Sequence, residues 1–162
     1  MKTLVIGVGN LLRCDDGVGI HVVNRLKAEA PEIDAVDLST ASIEILEAMR
    51  GYDRVIVVDA IKTGAEPGTI LRVNVKKEGR IVPFTGTHDL DLLTTLRLGK
   101  VLFPREMPRE LIILAVEAED ISTFSESCTE KVHEAIDQIV RTIISLVSDQ
   151  KEMEESNEVS ER

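Results

Sequence analysis

"KTLVIGVGNLLRCDDGVG", from Lys2 to Gly19, decides the fold, because a glycine-rich turn joins a strand-like run to a helix-like run. The first run is apolar, contains β-branched residues and ends at a glycine, as a buried parallel strand does. From Gly17 to Ala28, apolar residues recur near helical spacing. The stretch therefore predicts a strand, a turn and a helix, the first unit of an α/β domain.

The turn departs from the glycine fingerprint of dinucleotide-binding domains. Gly7 and Gly9 fit the pattern G-x-G-x-x-G, but Leu12 occupies the third glycine position. Asp15 and Asp16 then lie where the helix should begin, and their charges would repel a phosphate at that helix N-terminus. The turn therefore favours a cation as its ligand, and a nucleotide-binding α/β module is the weaker alternative.

Length and composition limit the classes of protein that the sequence can encode. The chain has 162 residues, which suits one compact domain, and a net charge of −10 that disfavours binding to nucleic acid. No apolar stretch approaches the roughly 20 residues that span a bilayer, so we expect no membrane insertion. Cys14 and Cys128 lie far apart and no signal peptide precedes them, which predicts a cytoplasmic protein with free thiols. Acidic neighbours of Cys14 would raise its pKa and disfavour a thiolate nucleophile.

The rest of the chain alternates between strand-like and helix-like segments. Val55–Val58 form an unbroken β-branched run, which predicts a central strand, whereas the alternating pattern of residues 68–75 predicts an edge or antiparallel strand. Such alternation indicates an α/β three-layer sandwich with a mostly parallel sheet and helices on both faces. The central strand is predicted at 53–61, further strands at 33–39 and 110–118, and helices at 40–51, 87–99 and 129–147.

The end of the chain differs in composition from the rest. From Asp149 to Arg162 there are six acidic and two basic residues and almost nothing apolar. Such a segment cannot bury enough surface to order itself. We therefore predict a single domain of residues 1–148 and an acidic, disordered tail of residues 149–162.

Polar residues near the carboxyl ends of the predicted strands are the candidate site residues, because ligands of open α/β sheets bind outside those ends. Asp16, Asp59 and His88, far apart in sequence, would meet at one rim. One imidazole and two carboxylates suit a divalent metal, and three protein ligands leave positions open for substrate or water. The other polar residues near strand ends are Asn10, Asp15, Asp37, Thr40, Thr87 and Asp89.

Simpler interpretations stay open for several of these residues. Asp15 suits the N-cap of the first helix, Asp59 could bond to nearby backbone N–H groups, and Asn10 could organise the turn. "HEAID", which begins at His133, is a near miss for the zinc-protease pattern H-E-x-x-H. Its helical spacing favours a solvated face instead.

"GVGNLLRCDDGVG", "VVDA" and "GTHDL" resemble the motifs of the hydrogenase maturation endopeptidases, which trim the C-terminal extension from the large subunit of nickel-iron hydrogenases. The resemblance runs from Lys2 to about Val147. It implies a five-stranded α/β fold, an endopeptidase activity and a precursor that already contains nickel. The family's metal-holding residues map onto Asp16, Asp59 and His88, and nickel or one of the carboxylates would activate water for catalysis.

The resemblance also suggests residues that contact the substrate. Asp37 and Thr40 match a further family position, usually D-G-G-T, which reads "DLST" here with both glycines replaced. With Asn10 they form the predicted substrate-binding set, the partner is a hydrogenase large-subunit precursor, and the nickel comes with that precursor. A non-catalytic nickel chaperone would use the same three ligands and stays open as an alternative.

Overall fold

The computed structural model describes residues 1–39, 43–76 and 92–160 of the chain. Strands and helices alternate along it, with a 3₁₀ turn at Cys14–Gly17 between the first strand and the first helix. The strands are β1 (Thr3–Val8), β2 (Asp34–Leu38), β3 (Arg54–Ile61), β4 (Ile70–Lys76) and β5 (Glu110–Glu117). The helices are α1 (Val18–Glu29), α2 (Ile43–Met49), α3 (Leu92–Leu102) and α4 (Glu130–Ser160).

The strands form one five-stranded sheet in the order β2-β1-β3-β5-β4. Four strands are parallel, and β4 pairs with β5 in the antiparallel sense at the edge. Every residue of β3 is buried, because β3 lies at the centre and both of its faces are covered. The predicted central strand, the edge strand and the five-stranded, mostly parallel sheet are therefore confirmed.

Helices cover both faces of the sheet. Since side chains alternate along a strand, each strand contributes to two separate cores. In β3, Ile56 and Val58 pack with α1 and α4, whereas Val55 and Val57 pack with α2 and α3. The predicted three-layer arrangement is confirmed, and the α2/α3 face is the face that matters for the site below.

The strand order creates a topological switch point between β1 and β3. From β1 the chain passes to β2 on one side and then returns to β3 on the other side. Connections therefore diverge at the carboxyl ends of these two strands and leave a crevice there. The last residue of β1 that pairs with β3 is Gly7, opposite Val58, whereas β3 continues beside β5 as far as Ile61. The crevice is thus bounded by the turn after β1 and by the last residues of β3.

Helix α3 does not end at Gly99, so that prediction is wrong. The helix continues to Leu102, and Gly99 lies inside it. A Cβ atom on Gly99 would lie 2.4 Å from Sδ of Met107, so this glycine permits close packing and does not terminate the helix. The predicted beginning of this helix, at Thr87, lies outside the described residues.

Helix α4 extends beyond the predicted domain boundary at residue 148. It runs to Ser160, so residues 149–160 are helical where we expected disorder. The segment contains neither glycine nor proline, and its four Glu, one Lys, one Gln and one Met have high helix propensity. The division into a domain and a tail stays a prediction.

Across the described ranges, even this longest helix lacks the continuous apolar length needed to cross a membrane.

Candidate functional site

Asp16 lies in the 3₁₀ turn that follows β1 and is 1% exposed. Its Oδ2 accepts the backbone N–H of Asn10 at 3.1 Å, which ties the carboxylate to the beginning of the same loop. Gly9 makes this closure possible, because its φ is 149° and a Cβ atom there would lie 2.0 Å from the Asp16 carbonyl oxygen. The loop therefore holds Asp16 in a fixed place.

Asp59 lies inside β3, near its carboxyl end and within the strand predicted at residues 53–61. The strand continues because Asp59 pairs with Ala115 and Ile61 with Glu117 across the β3–β5 ladder. Asp59 is 2% exposed, and its Oδ1 accepts the N–H of Ala60 at 2.8 Å. By strand alternation its side chain lies on the same face as those of Val57 and Ile61, the face that α2 and α3 cover.

Asp16 and Asp59 flank the switch point between β1 and β3. The 3₁₀ turn that carries Asp16 contacts β3. Gly19 allows α1 to pack closely against β3, because any Cβ atom at this position would lie 2.4 Å from the carbonyl oxygen of Val58. The peptide just before Asp59 thus packs against the first turn of α1, and both carboxylates are buried at one edge of the sheet.

The remaining member of the predicted metal trio, His88, lies outside the described residues, as does Thr40. Within residues 1–39, 43–76 and 92–160, no three His, Cys, Asp or Glu side chains form a group that could hold a metal ion. The structure therefore describes two of the three predicted ligands, and the trio stays a prediction.

The structure separates Asp37 from Asp59. Asp37 lies inside β2, within the strand predicted at residues 33–39, and its Oδ1 accepts a hydrogen bond from Nζ of Lys27 in α1 at 3.0 Å. It therefore lies on the α1/α4 face, opposite Asp59.

Asn10 is exposed at the rim, and its Oδ1 accepts the N–H of Leu12 at 3.0 Å. Its interactions are those of a residue that organises the turn.

Asp15 does not cap the first helix, so that interpretation is wrong. Helix α1 has no side-chain hydrogen bond at its N-cap, which is Gly17. Instead the fully buried carboxylate of Asp15 accepts the N–H groups of Thr129, Glu119 and Asp120 at 2.7, 2.9 and 3.0 Å. Asp15 thus connects the turn of Asp16 to the loop after β5 and to the beginning of α4.

The backbone of this turn is already satisfied within the protein. The N–H groups of residues 13–16 donate to carbonyl oxygens of Asn10, Ser125, Asp120 and Arg13. A phosphate-binding turn needs such N–H groups to face a ligand. This geometry disfavours the nucleotide-binding alternative.

Two further carboxylates hold the loops around the site, and sequence reasoning missed both. Glu117, the last residue of β5 and 1% exposed, accepts the N–H groups of Thr63 and Gly64 at 2.8 and 2.9 Å. Burial alone would raise its pKa, but these hydrogen bonds and one from the Thr63 hydroxyl outweigh burial, so the pKa lies below its usual value. Nothing in the sequence pattern around Glu117 signals this role.

Asp120 anchors the loop after β5. It accepts the N–H groups of Ser122 and Thr123 at 2.9 Å each, and the Thr123 hydroxyl also donates to it. Hydrogen bonds from Thr123, its hydroxyl first, hold the pKa of Asp120 well below the usual range. An Asp followed by Ser and Thr two and three residues later is the sequence signal that could have indicated this turn.

Neither cysteine thiol is activated as a nucleophile. Burial, and then the charge of Asp15, raises the pKa of Cys14. Burial raises the pKa of Cys128 to about 12. Both thiols are therefore protonated at neutral pH, as the sequence predicts for Cys14.

The His133 side of α4 is exposed, which confirms its prediction as a solvated face.

Comparison with known proteins identifies the family. Residues 20–146 match the family model described as HycI, hydrogenase maturation protease. The hydrogenase 2 maturation protease of Escherichia coli is 31% identical over 131 residues, covering 75% of this chain and 76% of the relative. The structure of the hydrogenase maturating endopeptidase HybD from E. coli aligns with a TM-score of 0.75 and 26% identity, covering 93% of this chain and 94% of that one.

A more distant structure shares the fold. The NiFe hydrogenase maturation protease HybD from Thermococcus kodakarensis aligns with a TM-score of 0.75 and 19% identity, covering 90% of this chain and 99% of that one. Together, the family model and the E. coli relative decide the assignment. This chain belongs to the hydrogenase maturation protease family, whose members are peptide hydrolases.

Proposed function

We propose that this chain is an endopeptidase that removes the C-terminal extension of a nickel-iron hydrogenase large-subunit precursor after nickel insertion. Family membership supports the reaction class, and the printed name of the Thermococcus kodakarensis structure connects that protein with a NiFe hydrogenase. The observation that carries the proposal is the burial of Asp16 and Asp59 on the two sides of the β1–β3 switch point. This is where an open α/β sheet binds its ligand.

The proposed role of Asp16 and Asp59 is to contact the nickel of the precursor together with His88. Oxygen and imidazole ligands suit a divalent metal of this kind, and the precursor's own cysteines would hold the ion from the other side. The hydrogen bonds from Asn10 and Ala60 orient the two carboxylates before the precursor binds. A precursor without nickel would lose this contact, so cleavage would depend on maturation.

Hydrolysis then adds one water molecule across the scissile peptide bond. The hydroxyl of the water goes to the carbonyl carbon and its proton to the leaving amine. The nickel of the precursor or one of the carboxylates, acting as general base, would activate this water. Since Asp16 and Asp59 are both buried, each would act in a site of low local dielectric, where electrostatic effects are strengthened.

The rim around these residues is the proposed substrate-binding region. Asn10 would act by fixing the turn, and Thr40 and Asp37 would contact the precursor, Asp37 from the α1/α4 face of the sheet and so away from Asp59. The net charge of −10 disfavours nucleic acid as a partner. We propose a cytoplasmic location.

A comparison of nickel-loaded and nickel-free precursor tests this function. Each precursor is incubated with the purified chain, and the mass of the large subunit is measured before and after. We expect a C-terminal peptide to be lost from the nickel-loaded precursor alone. Binding of the loaded precursor without any change in mass would instead indicate a nickel chaperone. Equal cleavage of both precursors would contradict the dependence on nickel.

A further inference from the structure

Helix α3 presents an apolar stripe to solvent. Leu98, Val101 and Leu102 are 46%, 77% and 52% exposed. Residues three and four positions apart are neighbours on a helix surface, so these three side chains form one continuous strip, which we call the α3 face. Isolated exposed apolar residues are common, but a continuous strip of them on one helix indicates an interaction site.

The opposite side of α3 already packs on the sheet. Leu96 is 6% exposed within the core that covers the Asp59 face, and Gly99 lies against Met107 and Leu46. The α3 face is therefore not the side that holds the helix on the domain. A helix that is apolar on both sides is expected to pack against two partners, and the core of this domain is one of them.

The charges next to the α3 face have the opposite sign to the chain as a whole. From Arg97 to Arg105 there are three basic residues and no acidic one, in a chain with a net charge of −10. Among the described residues no carboxylate pairs with Arg97, Lys100 or Arg105, whereas nearby Arg50 pairs with both Glu47 and Glu106. A basic, apolar strip on an acidic protein is complementary to a partner that is acidic and apolar.

We propose that the α3 face is a docking surface for an acidic, apolar surface of the hydrogenase large-subunit precursor; this inference rests on the proposed function. The acidic character of the partner is inferred from charge complementarity with the basic residues next to the α3 face. The chain places α3 directly after the segment that contains His88, and α3 covers the same face of the sheet as Asp59. A precursor bound to the α3 face would therefore approach the candidate site from the side on which Asp59 lies.

Two substitutions at Val101 separate the apolar from the electrostatic contribution. Val101→Lys and Val101→Glu both remove the most exposed side chain of the strip, but only the second adds an acidic group. Binding of the purified nickel-loaded precursor is measured by biolayer interferometry, and cleavage by mass. We expect V101E to weaken binding about tenfold or more and V101K by a smaller factor, with kcat at saturating precursor unchanged in both.

A charge reversal provides a matched comparison. Arg97→Glu should weaken binding of the precursor, whereas Arg141→Glu, an exposed arginine on α4, should not. Binding of both V101E and R97E at wild-type affinity, with normal cleavage, would overturn the docking surface and leave the proposed function intact. Binding without cleavage by the wild type would instead contradict the proposed function while the docking surface stood. Loss of a dimer in V101E, measured by sedimentation, would show that the occupant is a second copy and would also overturn the proposal.

Discussion

The carboxylate of Asp15 accepts both the backbone N–H and the hydroxyl of Thr129, at 2.7 and 2.9 Å, across 114 residues of sequence. This contact joins the turn that carries Asp16 to the residue just before α4. Asp15 is fully buried, and the N–H and O–H donors around its carboxylate offset the cost of burying this polar group. The position of Asp16 thus depends on a loop from the far end of the domain.

Replacing Asp15 by Asn should destabilise the fold by about 3 kcal/mol, because an amide NH₂ would face backbone N–H donors and a charge-assisted acceptor would be lost. Urea unfolding of D15N, of Thr129→Val and of the double variant measures the coupling. We expect the double variant to lose less stability than the sum of the single variants, since both remove the same contact. Strictly additive losses would show that the two residues act independently.

Replacing Gly9 by Ala should reduce precursor cleavage by about tenfold or more, because the new Cβ would displace the backbone of Asp16 and misplace its carboxylate. Gly51→Ala is the matched control: its φ is also positive, at 82°, but nothing lies within 4 Å of the added Cβ. G51A should lose about 1 kcal/mol of stability and keep its cleavage rate. Wild-type cleavage by G9A would contradict the fixed placement of Asp16.

Replacing His88 by Ala should abolish cleavage of nickel-loaded precursor, because the nickel contact would lose its nitrogen ligand. The unfolding free energy should stay within about 0.5 kcal/mol of wild type if the residue acts on the substrate and not on the fold. His133→Ala, at an exposed position of α4, should cleave normally. A fully active H88A variant would contradict the nickel-contacting role of His88.

Glu117 should make the stability of the protein depend on pH. Its pKa is lower in the folded state than its usual value of 4.5, so its charge stabilises the fold above that value. The contribution disappears as the pH falls below 4.5 and through the folded-state pKa. Glu117→Gln should therefore cost about 2 kcal/mol at neutral pH, and progressively less in acid.

Urea unfolding at neutral pH and at about pH 3 measures this difference between wild type and E117Q. Glu134→Gln, an exposed position of α4, serves as the control and should show no comparable change with pH. A stability difference for E117Q that is the same at both pH values would show that its charge does not stabilise the fold.

The sheet could be predicted from sequence because its strands carry local signals. The run Val55–Val58 is β-branched throughout and has no amphipathic alternation, so it had to lie at the centre. The helix ends were less predictable, since a glycine such as Gly99 can either end a helix or admit a neighbour. The tertiary neighbours Met107 and Leu46, which the fold brings against Gly99, decide between these roles.

The location of the candidate site could be predicted from the direction of the strands, but the contacts of its residues could not. Because parallel strands end at one edge of the sheet, Asp16 and Asp59 could be assigned to the same region. Asp59 lies two residues before the end of β3, because pairing with β5 continues as far as Ile61. The role of Asp15 could not be predicted, since its partner Thr129 is brought near only by the complete fold.

Nickel K-edge X-ray absorption of the nickel-loaded precursor, recorded alone and in its freeze-quenched complex with this chain, is the most direct test of the nickel contact. If Asp16, Asp59 and His88 bind the ion, oxygen and nitrogen ligands should join the nickel when the complex forms, and the change should be lost with H88A. An unchanged nickel spectrum in a complex that still cleaves its precursor would contradict the contact.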